Sequence, residues 1–204
     1  CYQDGELFAV SSCASAGFVV VVADANSGQP WTTSEVGTSN TGPYGDIYCS
    51  ADPYERVIQF NTNTPERREF LYQFMMNTVP DSSYFICYSN NYAEFNSWLD
   101  DTLIYGHSLF DAFVAYGAVD INSLAVFDYD RSYIFYAQKG NPASKFELIG
   151  DPEGHKIEAT FVIEGAWNTG DIVTPLIGPA ASWDKAQWWL SSYDDPQSDT
   201  SMLS

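Results

Sequence analysis

Polar side chains that could hydrogen-bond a sugar lie at the ends of two predicted strands. One strand is the apolar run YFICY, and the other lies in the stretch DYDRSYIFYAQKG. The side chains are those of Tyr88, Asn90, Asn91, Tyr92, Tyr129 and Arg131. A pyranose is bound by an aromatic ring against its apolar face and by a few fixed polar groups that contact its hydroxyls. These residue types fit a sugar-binding surface. They are also ordinary residues at the rim of a sheet, where they need no binding role.

Arg131 also has a purely structural interpretation. It is one of eight basic residues in the chain and stands among acids at the entrance of its strand. A salt bridge to Asp128 or Asp130 at an exposed position would contribute about 0–1 kcal/mol.

The segment DANSGQPWTTSE, residues 24 to 35, has Asp, Asn and Glu at three positions of an EF-hand loop. Gly28 and Gln29 stand where that loop needs an oxygen ligand and a glycine, and a predicted strand precedes the segment in place of a helix. We interpret the segment as a turn with Gly28 at positive φ. A calcium site elsewhere in this acidic chain is left open, and no other cofactor is expected.

Catalytic chemistry has few candidates. The histidines are His107 and His155, and Cys87 is predicted inside a buried strand, where the thiolate is disfavoured. The chain has 27 acids, but the sequence does not reveal which two lie at the separation that glycoside hydrolysis requires. We interpret Asp100-Asp101 and Asp194-Asp195 as solvated loop charges. No catalytic residue is therefore expected.

Composition restricts the class of partner. The chain of 204 residues carries a formal net charge of −19, which excludes nucleic acid and anionic membrane surfaces because both need clustered Lys and Arg. Aromatic residues make up 16% of the chain and charged residues 17%, as in globular proteins rich in β structure. The longest strongly apolar run, GFVVVVA, is too short to cross a bilayer, so no membrane insertion is expected.

The cysteines favour an oxidising, extracellular setting, because their number is even and their spacing matches no metal site. The disulfide candidates are Cys1, Cys13, Cys49 and Cys87. Cys87 also fits a small buried residue of the core.

Apolar periodicity and turn residues predict the strands that must position the polar groups. These strands span residues 6 to 11, 17 to 24, 56 to 61, 84 to 88, 124 to 127 and 132 to 137. The strand at 17 to 24 does not alternate in polarity and is therefore expected to be buried on both faces.

Two helices are predicted from their capping signals. The first begins at Thr64-Pro65-Glu66, a hydroxyl cap followed by proline and an acid, and the second runs from Ser108 to Gly117. Their apolar faces are formed by Phe70, Leu71, Phe74 and Met75 in the first helix and by Leu109, Phe110, Phe113 and Val114 in the second.

We expect one domain at residues 1 to 140 with an insertion at about 25 to 53, which is rich in Gly, Ser, Thr and Asn. A polar connector is expected at 141 to 155. A β-rich segment at 156 to 204 follows, since IEATFVIEG alternates in polarity and WDKAQWWL is aromatic.

Several segments, in order, resemble the interleukin-like EMT inducer (ILEI) family. ELFAVSS and GFVVVVADANSG resemble its opening strands, RVIQFNT and PERREFLYQFMMNTVPDSS its next strand and helix, and YFICYSNN its hydrophobic strand. HSLFDAFVAYGAVDINSLAVFDYDRSYIFYAQKG resembles its last helix and its closing strand, which ends in Lys-Gly. The resemblance covers about residues 6 to 140. The tail is similar to stretches of large Bacteroidota surface proteins exported by the type IX route.

The resemblance implies an α+β fold in which antiparallel sheets pack with two or three helices, usually with disulfides and without catalytic residues. The short β-rich segment would follow this domain. In the stem domain of an O-mannose N-acetylglucosaminyltransferase, the same fold binds carbohydrate.

The resemblance also places the family's binding groups on this chain. Its acid after the central strand falls on Asn90 or Asn91, and the acid of its Phe-Asp-Thr strand end falls on Asn61. Its Arg-Asp pair is inverted, so that Asp130 occupies the arginine position and Arg131 the aspartate position. A shift of one residue along a strand moves a side chain to the opposite face, so the inversion decides whether Arg131 reaches the site.

The function expected from these observations is that of a non-catalytic extracellular module within a larger secreted or surface protein. It would bind carbohydrate or act in adhesion, with a glycan or a cell-surface protein as partner. One alternative is a carbohydrate-active enzyme domain with paired carboxylates, and another is a purely structural protein-interaction domain.

Overall fold

The computed structural model describes residues 2–3, 6–7, 17–32, 58–90, 93–127, 131–151 and 157–163. The chain divides into two compact units, Cys1–Asn168 and Thr169–Ser204, and every described residue belongs to the first. None of the helices in the described ranges combines the length and the apolar character that a bilayer crossing requires.

The centre of the fold is an antiparallel sheet of five strands in the order β4-β3-β5-β6-β7. Its strands are β3 (Gly17–Ala23), β4 (Ile58–Asn61), β5 (Tyr84–Asn90), β6 (Tyr133–Gln138) and β7 (Asn141–Ile149). A separate hairpin pairs β1 (Tyr2–Gln3) with β2 (Glu6–Leu7). The expected α+β class with antiparallel strands is confirmed.

Helices cover one face of the sheet. They are α1 (Pro65–Gln73) with a π-helical turn (Phe74–Thr78), the first 3₁₀ segment (Phe95–Asp101), α2 (Thr102–Tyr105), α3 (Leu109–Ala115) and the second 3₁₀ segment (Ile121–Val126). The main core lies between this layer and the sheet, where Phe18 contacts the rings of Trp98, Phe113 and Tyr133.

Strand β3 is buried on both faces, as its uninterrupted apolar run predicts. Val20 and Val22 belong to the core on the helix side, whereas Val19 and Val21 pack with Ile86 and Tyr88 on the other face. The chain therefore places an apolar layer on each side of β3.

Both predicted helix starts are confirmed. Thr64 caps α1 by accepting a hydrogen bond from the Arg67 amide, and Ser108 forms a capping box with Asp111 at the start of α3. Gly117 ends α3 at φ +100°, where a Cβ would lie 2.8 Å from the Pro142 carbonyl oxygen.

Two side chains expected in the core are instead largely exposed. Phe70 is 42% exposed and Val114 is 45% exposed. In α1 the buried stripe runs through Leu71, Phe74 and Met75, and a step of about 100° per residue leaves Phe70 beside this stripe.

The expectation of a strand at residues 124 to 127 is wrong, because these residues fall in and after the second 3₁₀ segment. Ile121 and Leu124 are buried there, and this spacing of three matches the period of a 3₁₀ helix. The amides of Val119 and Asp120 are satisfied by the Glu147 carboxylate at 2.8 and 2.9 Å, which favours a helical start.

Residues 141–149 of the expected connector form strand β7, which pairs with β6 from Tyr133↔Ile149 to Gln138↔Asn141. Its polar sequence reflects its position at the edge of the sheet, where Asn141, Pro142 and Ala143 are exposed. Residues 157–163 show the alternating exposure expected of a strand without joining the sheet, and Phe161 stacks on Tyr136 with ring centroids 4.9 Å apart.

Candidate functional site

Two of the predicted site residues, Asn61 and Asn90, flank Gly17 at one end of the sheet. Gly17 is in register with Asn61 on β4 and with Asn90 on β5. Because neighbouring strands lie about 4.8 Å apart, the two backbones are separated by about 10 Å. Both amide residues are half-buried, so they form a pair of neutral donors and acceptors across β3.

Gly17 is required between the two amides. Its φ is +135°, and a Cβ at this position would lie 2.0 Å from the Phe60 carbonyl oxygen. No side chain can therefore stand between Asn61 and Asn90 on β3 without displacing β4.

The Asn61 side chain is held in an Asx turn. Its Oδ1 accepts the Asn63 amide at 2.9 Å, one residue before the Thr64 cap of α1. The side chain thus shapes the passage from β4 into the helix and has a defined orientation.

A buried network lies behind this end of the sheet. Arg68 forms a bidentate ion pair with Asp101 through Nε and Nη2, at 2.6 and 2.7 Å, and its Nη1 donates to the Thr62 carbonyl at 2.9 Å. The two side chains are only 3% and 4% exposed. The network joins α1, the first 3₁₀ segment and the residue that follows Asn61.

The same network reaches the segment after β5. The Ala93 carbonyl accepts the Thr62 hydroxyl at 3.0 Å and the Trp98 indole N–H at 2.8 Å. The residue that follows Asn61 is therefore joined to the segment beyond β5.

Tyr88 lies two residues before Asn90 and shares its face of the sheet. It pairs with Val19 and Ile134, and burial raises the pKa of its phenol. The strand β5 extends two residues beyond its predicted end at Tyr88, and this extension brings Asn90 into the ladder.

Arg131 lies just before β6, and its place in the sugar site stays a prediction. Its guanidinium carbon lies 3.7 Å from the centroid of the Phe127 ring, and Phe127 packs against the core on the helix side. Asn91, Tyr92, Tyr129 and Asp130 lie outside the described residues, so their share in the site stays a prediction.

The EF-hand-like segment begins as the expected turn. Asp24 Oδ1 accepts the amides of Asn26 and Ser27, both at 2.9 Å, and Gly28 has φ +67°. The Ser27 and Asn26 amides hold the pKa of the Asp24 carboxyl below its ordinary value. Among the described residues, His, Cys, Asp and Glu side chains form no group of three that could hold a metal ion.

Cys87 is a free thiol, although it was one of the four disulfide candidates. It is 1% exposed on the core face of β5, and burial raises its pKa well above the ordinary value. It therefore acts as a small apolar side chain. Cys1, Cys13 and Cys49 lie outside the described residues.

Sequence reasoning missed a second polar arrangement on α1. His107 Nε2 lies 2.8 Å from Glu69 Oε2, and the imidazole stacks on Tyr72 with centroids 3.7 Å apart. It also missed the Arg68–Asp101 pair. The sequence carries one signal for this ion pair. Arg68 is a charged residue three positions before Leu71, on the buried stripe of α1.

Comparisons with protein-family models, with curated proteins and with solved structures find no significant match to this chain.

Proposed function

We propose that the chain is a non-catalytic extracellular module that binds neutral glycans at the end of the sheet carrying Asn61 and Asn90. It would act within a larger secreted or surface protein. The observation that carries the proposal is the pairing of these two amides with Gly17, because they offer neutral donors and acceptors on the same face of the sheet, one on each side of β3.

The engagement of the carboxylates favours binding over hydrolysis. A hydrolase needs two carboxyl groups at a defined separation, one of them available as an acid. Asp101 is held by Arg68, Glu147 accepts from Tyr133 Oη at 2.8 Å and from two amides, and Asp111 caps α3. These acids stabilise the fold of the described residues.

The net charge of −19 indicates which glycans fit. Sulfated or uronic-acid chains would be repelled by the protein as a whole, whereas neutral hexose or hexosamine chains would not. The amides at Asn61 and Asn90 agree with this preference, since they keep the hydrogen-bonding capacity of the family's acids without their charge.

The test is glycan-array binding of the whole chain and of four variants. Asn61→Asp keeps the Oδ1 acceptor of the Asx turn but removes the amide donor, and Asn90→Ala removes the second amide. We expect each to weaken binding to neutral glycans about tenfold, which corresponds to one lost hydrogen bond of about 1.4 kcal/mol. Asn122→Ala, at an exposed amide in the second 3₁₀ segment, is the matched control.

The variant Arg131→Ala tests whether the arginine belongs to the binding site together with the two amides. We expect unchanged binding if the contact of the Arg131 guanidinium with the Phe127 ring is its only role, and weaker binding if the arginine also contacts the sugar. If Arg131→Ala abolishes binding while Asn61→Asp and Asn90→Ala leave it intact, the proposed location is wrong. Binding of no glycan on the array, or turnover of a polysaccharide, would contradict the proposed function itself.

A further inference from the structure

Three large apolar side chains stand on the surface of one short helical stretch. Leu99, at the end of the first 3₁₀ segment, is 53% exposed, and Leu103 and Ile104 on α2 are 88% and 61% exposed. Leu99 and Leu103 are four residues apart, so they lie on the same side of a helical stretch. Exposed apolar groups that cluster in this way mark sites of protein association.

The fold does not need these side chains. The first 3₁₀ segment buries Phe95, Trp98 and Asp101, which are three residues apart as a 3₁₀ period requires. Leu99 falls outside that stripe, and α2 buries none of its residues before it ends at Gly106 with φ +77°. Their exposure is therefore unexplained by packing within the described residues.

The apolar group is bordered by an aromatic ring and by acids. The Tyr105 ring lies 6.1 Å from the His107 ring, which is hydrogen-bonded to Glu69. Glu69 is joined to this border through His107, and Glu66 lies one turn before Glu69 on α1. Desolvation and the negative charges of Glu66 and Glu69 raise the pKa of Tyr105. The nearby Arg68 is neutralised by Asp101, which leaves the border negative.

We propose that this surface, formed by Leu99, Leu103, Ile104 and Tyr105 with Glu66 and Glu69, docks a basic amphipathic segment of another protein. Apolar side chains of the segment would cover Leu103 and Ile104. Lys or Arg side chains would meet the carboxylates and the face of the Tyr105 ring, which attracts a cation.

Charge complementarity selects this occupant. A second copy of the chain would bring another net charge of −19 to an acidic border, and an anionic membrane surface would be repelled in the same way. A basic segment is attracted over a distance before it buries the apolar group, so it gains both in association rate and in stability. The surface is distinct from the amide pair of the glycan proposal and does not depend on it.

The test is fluorescence anisotropy of labelled synthetic peptides with the full chain. The probe is a helical peptide with Leu at positions i, i+3, i+4 and i+7 and Lys elsewhere. One comparison peptide has Glu in place of Lys, and the other has Ser in place of Leu. We expect saturable binding of the Lys–Leu peptide that weakens as salt is raised, and much weaker binding of the other two.

The variant Leu103→Ser/Ile104→Ser should weaken binding of the Lys–Leu peptide about tenfold or more, since it removes the apolar contact and leaves the acids in place. The control is Val119→Ser/Val162→Ser, whose side chains are 65% and 81% exposed elsewhere. Circular dichroism and melting of both variants establish that the fold is unchanged.

Three results would overturn the inference: no saturable binding of the Lys–Leu peptide, equal binding of the Lys–Ser peptide, or equal loss in the two double variants. Equal binding of the Lys–Ser peptide would mean that the peptide responds only to the overall acidity of the chain, and equal loss in the two double variants would mean that the contact is not confined to this surface. Glycan binding by the double variants is expected to be unchanged, so this proposal and the glycan proposal fail separately.

Discussion

Arg68 is a basic residue whose charge is neutralised by an ion pair in the protein interior. Its guanidinium satisfies both oxygens of Asp101 and the Thr62 carbonyl, and the ion pair is almost completely buried. Removing one partner of such a pair strands a buried charge, whereas replacing both with apolar residues costs little.

We therefore predict that Arg68→Met lowers the free energy of unfolding by about 3–5 kcal/mol. Arg68→Met/Asp101→Leu should recover most of that loss. Urea denaturation followed by tryptophan fluorescence measures both, with Arg67→Met on the exposed side of α1 as control. A double variant no more stable than Arg68→Met would contradict this account.

At the scale of residues, local signals were sufficient for some side chains and insufficient for others. The caps at Thr64 and Ser108 lie within three residues of their partners, and the sequence predicted both. Arg68 and Asp101 are 33 residues apart, so only the fold shows that they meet. The contact of Arg131 with the Phe127 ring was not predicted either, because the sequence offered Asp128 and Asp130 as partners for the arginine.

At the scale of elements, Lys139 joins the end of β6 to the end of the helical stretch that follows α1. Its ammonium donates to the carbonyls of Met75, Met76 and Val79 at 2.7–2.8 Å. These carbonyls lie at the C-terminal end of a helical stretch, where the helical hydrogen bonds end and a cation is favoured. The Met75 carbonyl also accepts the Tyr116 hydroxyl. The Lys-Gly ending of the closing strand is therefore a cap for a distant helix.

We predict that Lys139→Met lowers the free energy of unfolding by about 2–3 kcal/mol, since it removes charge-assisted hydrogen bonds to these carbonyls. Lys139→Arg should not restore it, because a planar guanidinium cannot point three donors as an ammonium does. Arg67→Met, on the exposed side of α1, is the control for loss of a cation.

The same residue predicts a dependence on pH. Burial lowers the pKa of Lys139 below 10.5, so the unfolded chain binds more protons than the folded chain just below that value. Stability of the unmodified protein should rise relative to Lys139→Met as pH increases from 8 toward the ordinary lysine pKa. A constant difference between the two urea midpoints over this range would show that the lysine titrates normally.

Elements with a clear apolar pattern were predicted well, and the polar edge strand β7 was not. β3 and β5 are apolar runs with a core on at least one face. The sequence of β7 resembles that of a polar connector because much of the strand faces solvent. Its pairing with β6 is made by backbone groups, which the side-chain pattern does not reveal. The placement of Asn90 depended on two extra residues of β5, which no local pattern indicated.

At the scale of the whole molecule, the charge of −19 opposes compaction, because like charges are closer together in the folded state. We predict that raising NaCl from low to physiological concentration increases the melting temperature by about 2–5 °C, as the Debye length falls to about 8 Å. An uncharged osmolyte at equal osmolality serves as control. A melting temperature that is flat or falls with salt would show that favourable surface pairs outweigh the repulsion.

The exposed start of β7 has a consequence for proteins displayed in many copies. Pro142 has no amide hydrogen, so the outermost strand of the sheet presents an incomplete row of donors to a neighbouring strand. Copies crowded side by side on a surface, or repeated along one polypeptide, would thus be hindered from extending the backbone ladder through the start of β7.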